Sequence, residues 1–270
     1  MNTRLVFKIL LRRFRVDCIF DIGSCDGVDA LLFRQILPKA AVVAFEANPI
    51  NHQRMAQNPQ LKANRIEVFP YAITNTNGTA PFNVADADYD NGSESRGQSS
   101  LLVAADGPWK GYQDVKVKEI VEVETRRLDE FVLSKYPNVQ SIGLWIDVEG
   151  AEFGVLEGMA GIRNRVVAVH VETARVALRV GQKAYAELEL LMKSLGFVSI
   201  GTNMSEPDLL GDVVFVNQKA VSRLGLRFHF CQSVNVLSHL CRVDSLGPLL
   251  RKHSQPLYTL LRRVYFKLFT

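Results

Sequence analysis

The chain has 270 residues, 47% hydrophobic and 22% charged, with a formal net charge of +4, a size that suits one large domain with an appendage. Its 18 Gly, 10 Pro and 4 Cys exclude collagen-like, low-complexity and disulfide-scaffold classes, and the apolar fraction is too high for a disordered chain. The charge is segregated: residues 1–15 carry +5, residues 219–270 carry +8, and the acidic stretch 16–218 carries −9.

Residues 1–15 form a basic amphipathic segment, with Leu5 and Ile9 beside Arg12 and Arg13. Cys18–Gly23 is a short apolar run that reads as a buried parallel strand. Val28–Leu37 has helical spacing and stops before Pro38. Ala41–Glu46 is a second strand. Asn48 and Pro49 open a helix as cap and first helical residue. Ile66–Pro70 is a third strand. Residues 83–112 lose the periodic pattern and read as a long loop, of the kind that is functional or disordered. Val115–Thr125 alternates apolar and charged residues like an edge strand, and Leu128–Tyr136 is a short helix. Ser141–Asp147 and Val166–Val171 are buried strands separated by a helix over Phe153–Ala160. Gln182–Leu195 is an amphipathic helix closed by Gly196. Phe197–Gly201 and Asp212–Asn217 pair as a final hairpin.

This alternation predicts an α/β fold: a mostly parallel sheet covered by helices on both faces, with a terminal antiparallel hairpin. Ligands of such sheets bind at the carboxyl ends of the strands. Four strands there end in an acid or a glycine turn. The first gives Asp21-Ile-Gly23-Ser24-Cys25-Asp-Gly27, the second Glu46, the middle one Asp147-Val-Glu149-Gly-Ala-Glu152, and the central one His170-Val-Glu172. Gly23 and Gly27 let the backbone approach a ligand, and the following helix offers free N–H groups. Glu46, at the next strand end, can accept both hydroxyls of a ribose. Together these point to a nucleoside cofactor. The frame is acid-x-Gly-x-x-x-Gly and lacks the G-x-G-x-x-G of a dinucleotide site.

The order Phe20-Asp-Ile-Gly23, Ala44-Phe-Glu46-Ala-Asn-Pro49, Tyr71-Ala-Ile-Thr-Asn-x-x-Gly78, Gln98-Ser-Ser-Leu101, Thr125-x-x-Leu-Asp129 and Ile146-Asp-Val-Glu-Gly-Ala-Glu152 resembles the FkbM family of methyltransferases over residues 17–217. The resemblance implies a Rossmann-like seven-stranded methyltransferase fold. It also implies S-adenosyl-L-methionine as cofactor and O-methylation of a sugar, glycan or related hydroxyl. It places Asp21, Gly23, Ser24, Cys25, Gly27, Glu46, Ala72, Ser100 and Asp147 at the cofactor, with Gln98–Leu101 closing over it. Two positions depart from the family's habit: Cys25 stands where Asn is usual, and Trp145 where Lys is frequent.

Methyl transfer to an alcohol is an in-line displacement that needs a proton acceptor or a metal. Asp147, Glu149 and Glu172 are the candidate catalytic carboxylates, and His170 is a base by residue type in what reads as a core position. No metal is expected, although the three carboxylates are the set that could take a hard divalent ion. Asp86–Gly92 fails the calcium-loop pattern. The repeated His229-Phe-Cys231 and His239-Leu-Cys241 units lack finger spacing.

Residues 219–270 lie outside the resemblance. Leu257, Leu260, Leu261, Val264 and Leu268 fall at helical spacing beside Arg262 and Arg263. Such a helix either meets an anionic membrane surface or packs on the acidic body. No nucleic-acid motif appears. No apolar run reaches the ~18 residues of a membrane span. Lys8, Arg12 and Arg13 interrupt any secretory signal, and the cysteines have no framework spacing. The expected location is cytoplasmic, with attachment at the inner membrane face as an alternative. The rival functional readings are an inactive module that retains the fold, and a dinucleotide or nucleotide-sugar enzyme.

Overall fold

The apolar runs and amphipathic segments that alternate in sequence also alternate in space. A computed structural model describes residues 1–85, 95–106, 116–205 and 207–224. The Asp86–Gly92 stretch, the two His-x-Cys units and the basic helix expected beyond residue 245 lie outside the described residues.

The chain opens with α1 (Thr3–Arg13), β1 (Cys18–Ile22), α2 (Val28–Ile36) and β2 (Ala41–Phe45). Next come α3 (Pro49–Gln57), α4 (Pro59–Ala63), β3 (Glu67–Phe69), β4 (Tyr71–Thr74) and β5 (Gly78–Ala85). β6 (Val117–Arg127), α5 (Leu128–Lys135), β7 (Ile142–Ile146), α6 (Glu152–Gly158) and β8 (Val166–Ala174) follow. The described chain ends with α7 (Tyr185–Ser194), β9 (Phe197–Thr202), β10 (Leu210–Asn217) and α8 (Gln218–Leu224). The body comprises Asn2–Gln218.

Seven strands form one sheet in the order β3-β2-β1-β7-β8-β10-β9. β3, β2, β1, β7 and β8 pair in parallel, and β10 runs antiparallel to both β8 and β9. The expected terminal hairpin forms, and β10 inserts beside β8. Every residue of β1 and β7 is buried, as two helical layers require. The order reverses at β1, so the ends of β1, β2 and β7 open a crevice.

Local chemistry sets the element starts. The Asn48 side chain accepts from the backbone N–H of Ile50 at 2.9 Å and of Asn51 at 3.4 Å, with Pro49 as the first residue of α3. On one face of the sheet, α1 and α2 close over Trp145 and His170. Phe7 lies edge-on to Phe33 at 6.2 Å and 5.8 Å from Trp145. On the other face Phe131 of α5 meets Phe20 and Phe45 edge-on, at 6.5 and 5.0 Å.

Two findings differ from the sequence expectation. First, β4, β6 and β5 make a separate three-stranded sheet. The segment read as an edge strand over Val115–Thr125 falls in β6 (Val117–Arg127), which is the centre of this sheet, pairing in parallel with β4 and antiparallel with β5. Pro81 and polar alternation hide β5, and β4 is only four residues long. Second, α1 belongs to the body. Its Phe7, Leu10 and Leu11 are buried and it packs on β8 and β10. Its apolar face is therefore not available to a membrane in this fold. Among the described residues, no helix is long and apolar enough to cross one.

Candidate active site

Two adjoining clefts open at the carboxyl ends of the central strands. The first, about 500 Å³ with its open mouth, lies over the turn after β1. Gly23 makes that turn possible. Its φ is +84°, and an added Cβ would lie 1.7 Å from the carbonyl oxygen of Asp147. The turns after β1 and β7 thus press together. At Gly27 an added Cβ would lie 2.8 Å from the Leu61 side chain. Asp21 is buried beneath the turn and accepts from the Ser24 hydroxyl at 2.5 Å. Burial pushes Asp21 up to about 7, with the Ser24 hydrogen bond opposing.

Glu46 follows β2 and is 6% exposed. One carboxylate oxygen accepts from the Cys25 backbone N–H at 2.6 Å, the other from the Asn48 N–H at 2.7 Å. Each oxygen keeps a further lone pair, and Glu46 lines the cleft. That arrangement fits a pair of neighbouring hydroxyls. Burial raises Glu46 to about 7 against these two hydrogen bonds. One part of the wall is apolar, made by Ala47, Ala72, Ile73, Phe82 and Leu101. The second sheet supplies Tyr71, Ala72, Ile73 and Phe82. The donor set therefore fits a nucleoside with a flat, weakly polar base and a ribose diol.

Gly97, Ser99 and Leu101 cover this cleft. The Ser99 hydroxyl receives hydrogen bonds from Asn48 Nδ2 and from the Ala85 N–H, both at 3.0 Å. Ser100 pairs with Asn83 as an isolated bridge.

The second cleft, about 640 Å³ with its open mouth, is lined by Glu149, Glu152, Glu172, Arg179 and Gln182. Asp147, on the wall of the first cleft, meets Glu149 and Glu172 there: carboxylate oxygens of the three lie within 4.8 Å of one another. Glu149 has φ +55°, a costly conformation for a side-chain-bearing residue. It is held from both ends. Its carboxylate accepts from Arg179 Nη2 at 2.8 Å, and its carbonyl accepts from the Ser100 hydroxyl at 2.8 Å. Arg179 also donates to the carbonyls of Gln98 at 3.0 Å and Leu102 at 3.4 Å. Gln182 fixes this loop by accepting from the N–H groups of Leu178 and Arg179. One buried guanidinium thus joins the cover of the first cleft to the acids of the second.

Crowding and burial shift these acids upward. Burial first, then repulsion from Glu149 and Glu152, holds Asp147 well above the usual carboxylate range. Burial, then Asp147 and Glu149, pushes Glu172 up to about 10. Burial raises Glu152 to about 7, although it accepts from the Gly150 N–H at 2.7 Å. Burial also raises Glu149, with Arg179 opposing. Such a group shares protons near neutral pH and can take one from a hydroxyl. The all-oxygen set is chemically suited to a hard divalent ion. Glu149, however, is already matched by Arg179.

Of the residues singled out in the sequence, Gly23, Cys25, Glu46, Ala72 and Asp147 line the first cleft, and Glu149 and Glu172 the second. Asp21, Ser24, Gly27 and Ser100 shape the walls from behind. His170 is a correction: it does not reach either cleft. It is 1% exposed, stacked on Trp145 at 3.7 Å and 11°, and edge-on to Phe7. Burial lowers it to about 3, so it is a neutral core residue. Alternation put His170 and Glu172 on one face, but Glu172 lies at the cleft and His170 one step under α1. Trp145 shares that position, so its replacement of a lysine leaves the clefts untouched. Cys25 contributes through its backbone N–H. Arg179, Gln182 and Asn48 were missed as site residues. An arginine following a central strand was the one available signal for Arg179, but its partner Glu149 is 30 residues away.

A family model for the methyltransferase FkbM domain matches residues 21–199. The chain is 31% identical over 193 residues to the 2-O-methyltransferase NoeI of Sinorhizobium fredii, covering 71% of this chain and 77% of that protein. It is 28% identical over 171 residues to the hexuronic acid methyltransferase AglP of Haloferax volcanii, covering 62% and 60%. The chain thus spans three fifths of that second relative. Among solved structures, the magnesium protoporphyrin IX methyltransferase of Synechocystis with bound SAM is similar over 80% of this chain and 77% of that one, at 9% identity and a TM-score of 0.41. With a match running from the acid of β1 into β9, the chain belongs to the FkbM methyltransferase domain family.

Proposed function

We propose that this methyltransferase moves a methyl group from S-adenosylmethionine to a hydroxyl of a sugar or glycan. The carrying observation is the junction of the two clefts, where Asp147 on the nucleoside side meets Glu149 and Glu172 on the other. The name of the second relative, a hexuronic acid methyltransferase, supports a sugar acceptor, and that of the first, a 2-O-methyltransferase, supports transfer to oxygen. In the first cleft, Glu46 would hold the ribose diol, and the backbone of Gly23 and Cys25 would border the cofactor's amino-acid part. Bound there, S-adenosylmethionine supplies a methyl group made electrophilic by its sulfonium.

The chain's own residues perform the remaining work. The apolar wall and the cover from Gly97 to Leu101 exclude water from the junction. The acids of the second cleft orient the acceptor by accepting hydrogen bonds from its hydroxyls. Asp147, in its ionised form, takes the hydroxyl proton as the oxygen–carbon bond forms and the carbon–sulfur bond breaks, while Glu172, pushed up to about 10, already holds a proton of its own. The proton ends on the carboxyl and leaves to solvent through the open mouth. Charge pairing with Arg179 assigns Glu149 to holding the loop.

Calorimetry with S-adenosylhomocysteine and with NAD tests the cofactor half. Binding of S-adenosylhomocysteine that weakens in Glu46→Ala is expected; binding of NAD alone would overturn the assignment. Turnover tests the other half. Asp147→Asn should lose transfer while retaining cofactor affinity, and a fully active variant would remove Asp147 from the chemistry.

A further inference from the structure

The clefts occupy the end of the sheet where the parallel strands finish; the end where they begin carries the opposite charge. Hydrogen bonds join the loops of that end into a continuous seam. Arg34 of α2 donates to the carbonyls of Asn64, Ala40 and Arg65, tying the entries of β3 and β2. The Ala41 N–H donates to the Asp17 carbonyl, and the Asp17 carboxylate accepts from the N–H groups of Gln140 and Ser141, tying β2 to β1 and β7. The Ile142 N–H donates to the Arg165 carbonyl, Asn217 Nδ2 to that of Arg163 and the Gln218 N–H to that of Gly196, which carries the seam to β8, β10 and β9. Seven strands at ~4.8 Å spacing make this end ~29 Å wide. Exposed cations stand along it: Arg13 and Arg15 before β1, Lys39 before β2, Arg65 before β3, Arg163 before β8 and Lys193 before β9. None of these six pairs with a carboxylate among the described residues. The loops of the seam hold Asp17, turned onto backbone N–H groups, and lead to Glu67, paired with Lys135 at 3.2 Å. Asp129, which accepts from the Gly161 N–H beside them, is paired with Arg127 at 2.6 Å. The body ends on the seam, at Gln218, and residues 219–270 bring +8 with a single acid, Asp244.

We propose that this end of the body is a docking surface for a membrane leaflet rich in anionic phospholipid, held by charge and without insertion of α1, whose apolar face is buried. The six cations come from five loops spread across the width of the sheet, so they match a plane of phosphate charges and not one bound ion. A nucleic acid fits the same charge less well: α1 and α7 end here and the parallel strands begin here, so no described element projects as a groove reader would. The five residues of β7 put ~17 Å between this surface and Asp147. Docking therefore leaves both clefts open to water, and cofactor and acceptor enter from the side away from the lipid. The inference is independent of which hydroxyl is methylated.

The test is co-sedimentation of the full chain with phosphatidylcholine vesicles, with and without phosphatidylserine, at low and high salt. Binding that requires phosphatidylserine and weakens at high salt is expected; no binding, or equal binding to both vesicles, overturns the proposal. Arg13→Gln, Lys39→Gln and Arg163→Gln together should lower the partition coefficient roughly 100-fold, as the loss of three cations near an anionic surface implies. Lys116→Gln, Lys118→Gln and Arg175→Gln remove the same charge from the cleft end, where β6 pairs with the last residues of β5 and where β8 finishes. They should lower it by about threefold at most, because charges beyond a screening length act weakly. Equal losses in the two triple variants would make net charge the cause and overturn the surface. Unchanged binding by the first variant would do the same and assign attachment to residues 219–270. A first variant that loses affinity for duplex DNA and keeps its affinity for vesicles would overturn the lipid assignment. Calorimetry checks the orientation: S-adenosylhomocysteine should bind both triple variants, and the parent on vesicles, as it binds the parent in solution. Vesicles that block it would place the clefts against the lipid and refute the assigned face.

Discussion

Replacing Arg179 by methionine keeps the volume of the side chain and removes its charge and its donors. Arg179 is 9% exposed at its side chain and Glu149 25%, so the pair is largely shielded from water. Breaking a buried pair by removing one partner costs about 3–5 kcal/mol, because the other charge is left uncompensated. The partial exposure of Glu149 puts this pair at the lower end, about 3 kcal/mol. At ~2–4 °C per kcal/mol for a body of this size, the melting temperature should fall by ~6–12 °C. Stability alone would not reveal a role in the site, so two further readouts matter. Without the guanidinium Glu149 holds its proton more tightly and repels Asp147 and Glu172 less, so the acidic limb of the pH–rate profile, set by those two acids, should move to lower pH. The Gln98 and Leu102 carbonyls also lose their donor, so the cover over the first cleft should loosen and cofactor affinity should drop. Arg179→Lys should restore the charge and the acidic limb. It should not restore the bridge between the two carbonyls, since an ammonium lacks the planar fork. A methionine variant that melts within a degree of the parent, with an unmoved acidic limb, would refute the reasoning.

Other consequences can be measured directly. Glu46, raised to about 7, must be ionised to accept two hydroxyls, so cofactor binding releases a proton. The dissociation constant measured by calorimetry should therefore rise towards about tenfold per pH unit below 7. Glu46→Gln should bind weakly with a flatter dependence; because Asp21 also sits at about 7, the difference between the two proteins is the quantity to read. Gly23→Ala would put a Cβ 1.7 Å from a carbonyl oxygen in a left-handed turn, so cofactor binding should be lost in calorimetry. Phe7→Ala removes a fully buried ring beneath α1 and should destabilise by ~3–5 kcal/mol in denaturant titration; an unchanged midpoint would return α1 to the list of free amphipathic helices.

What the sequence made legible was local. Asp21 to Gly27, Glu46 and Asp147 to Glu152 each announce a strand end within a few residues, and the sheet order then brings them together. The groups it concealed act across distance. The wall made by Ala72 and Phe82 depends on β6 pairing with β4 and β5, across a stretch where periodicity fades. Arg179 depends on a loop after β8 reaching both Glu149 and the Gln98 carbonyl, separations of 30 and 81 residues. His170 shows the opposite failure. Residue type and a two-residue spacing from Glu172 suggested a base, yet only the packing of Trp145 and Phe7 reveals that one of the pair is walled off.

The charge asymmetry also has a structural sense at the N-terminal end. Arg4 of α1 lies 4.9 Å from the Trp145 ring centroid and pairs with Asp29 at 3.3 Å, while Thr3 donates to Asp212. The helix is thus oriented by polar contacts at its start and fixed by Phe7, Leu10 and Leu11 beneath it. Exposed pairs of this kind contribute ~0–1 kcal/mol, so the burial of the aromatic and leucine side chains decides where α1 sits and the charges decide its register. A positive segment seated on an acidic body loses its apolar face as a membrane element, while Arg12, Arg13 and Arg15 remain exposed at the far end of the helix. Neutralising those three arginines should therefore leave the melting temperature nearly unchanged, whereas shortening the apolar face should not. The two operations separate what the basic segment does for the fold from whatever its charge does outside it.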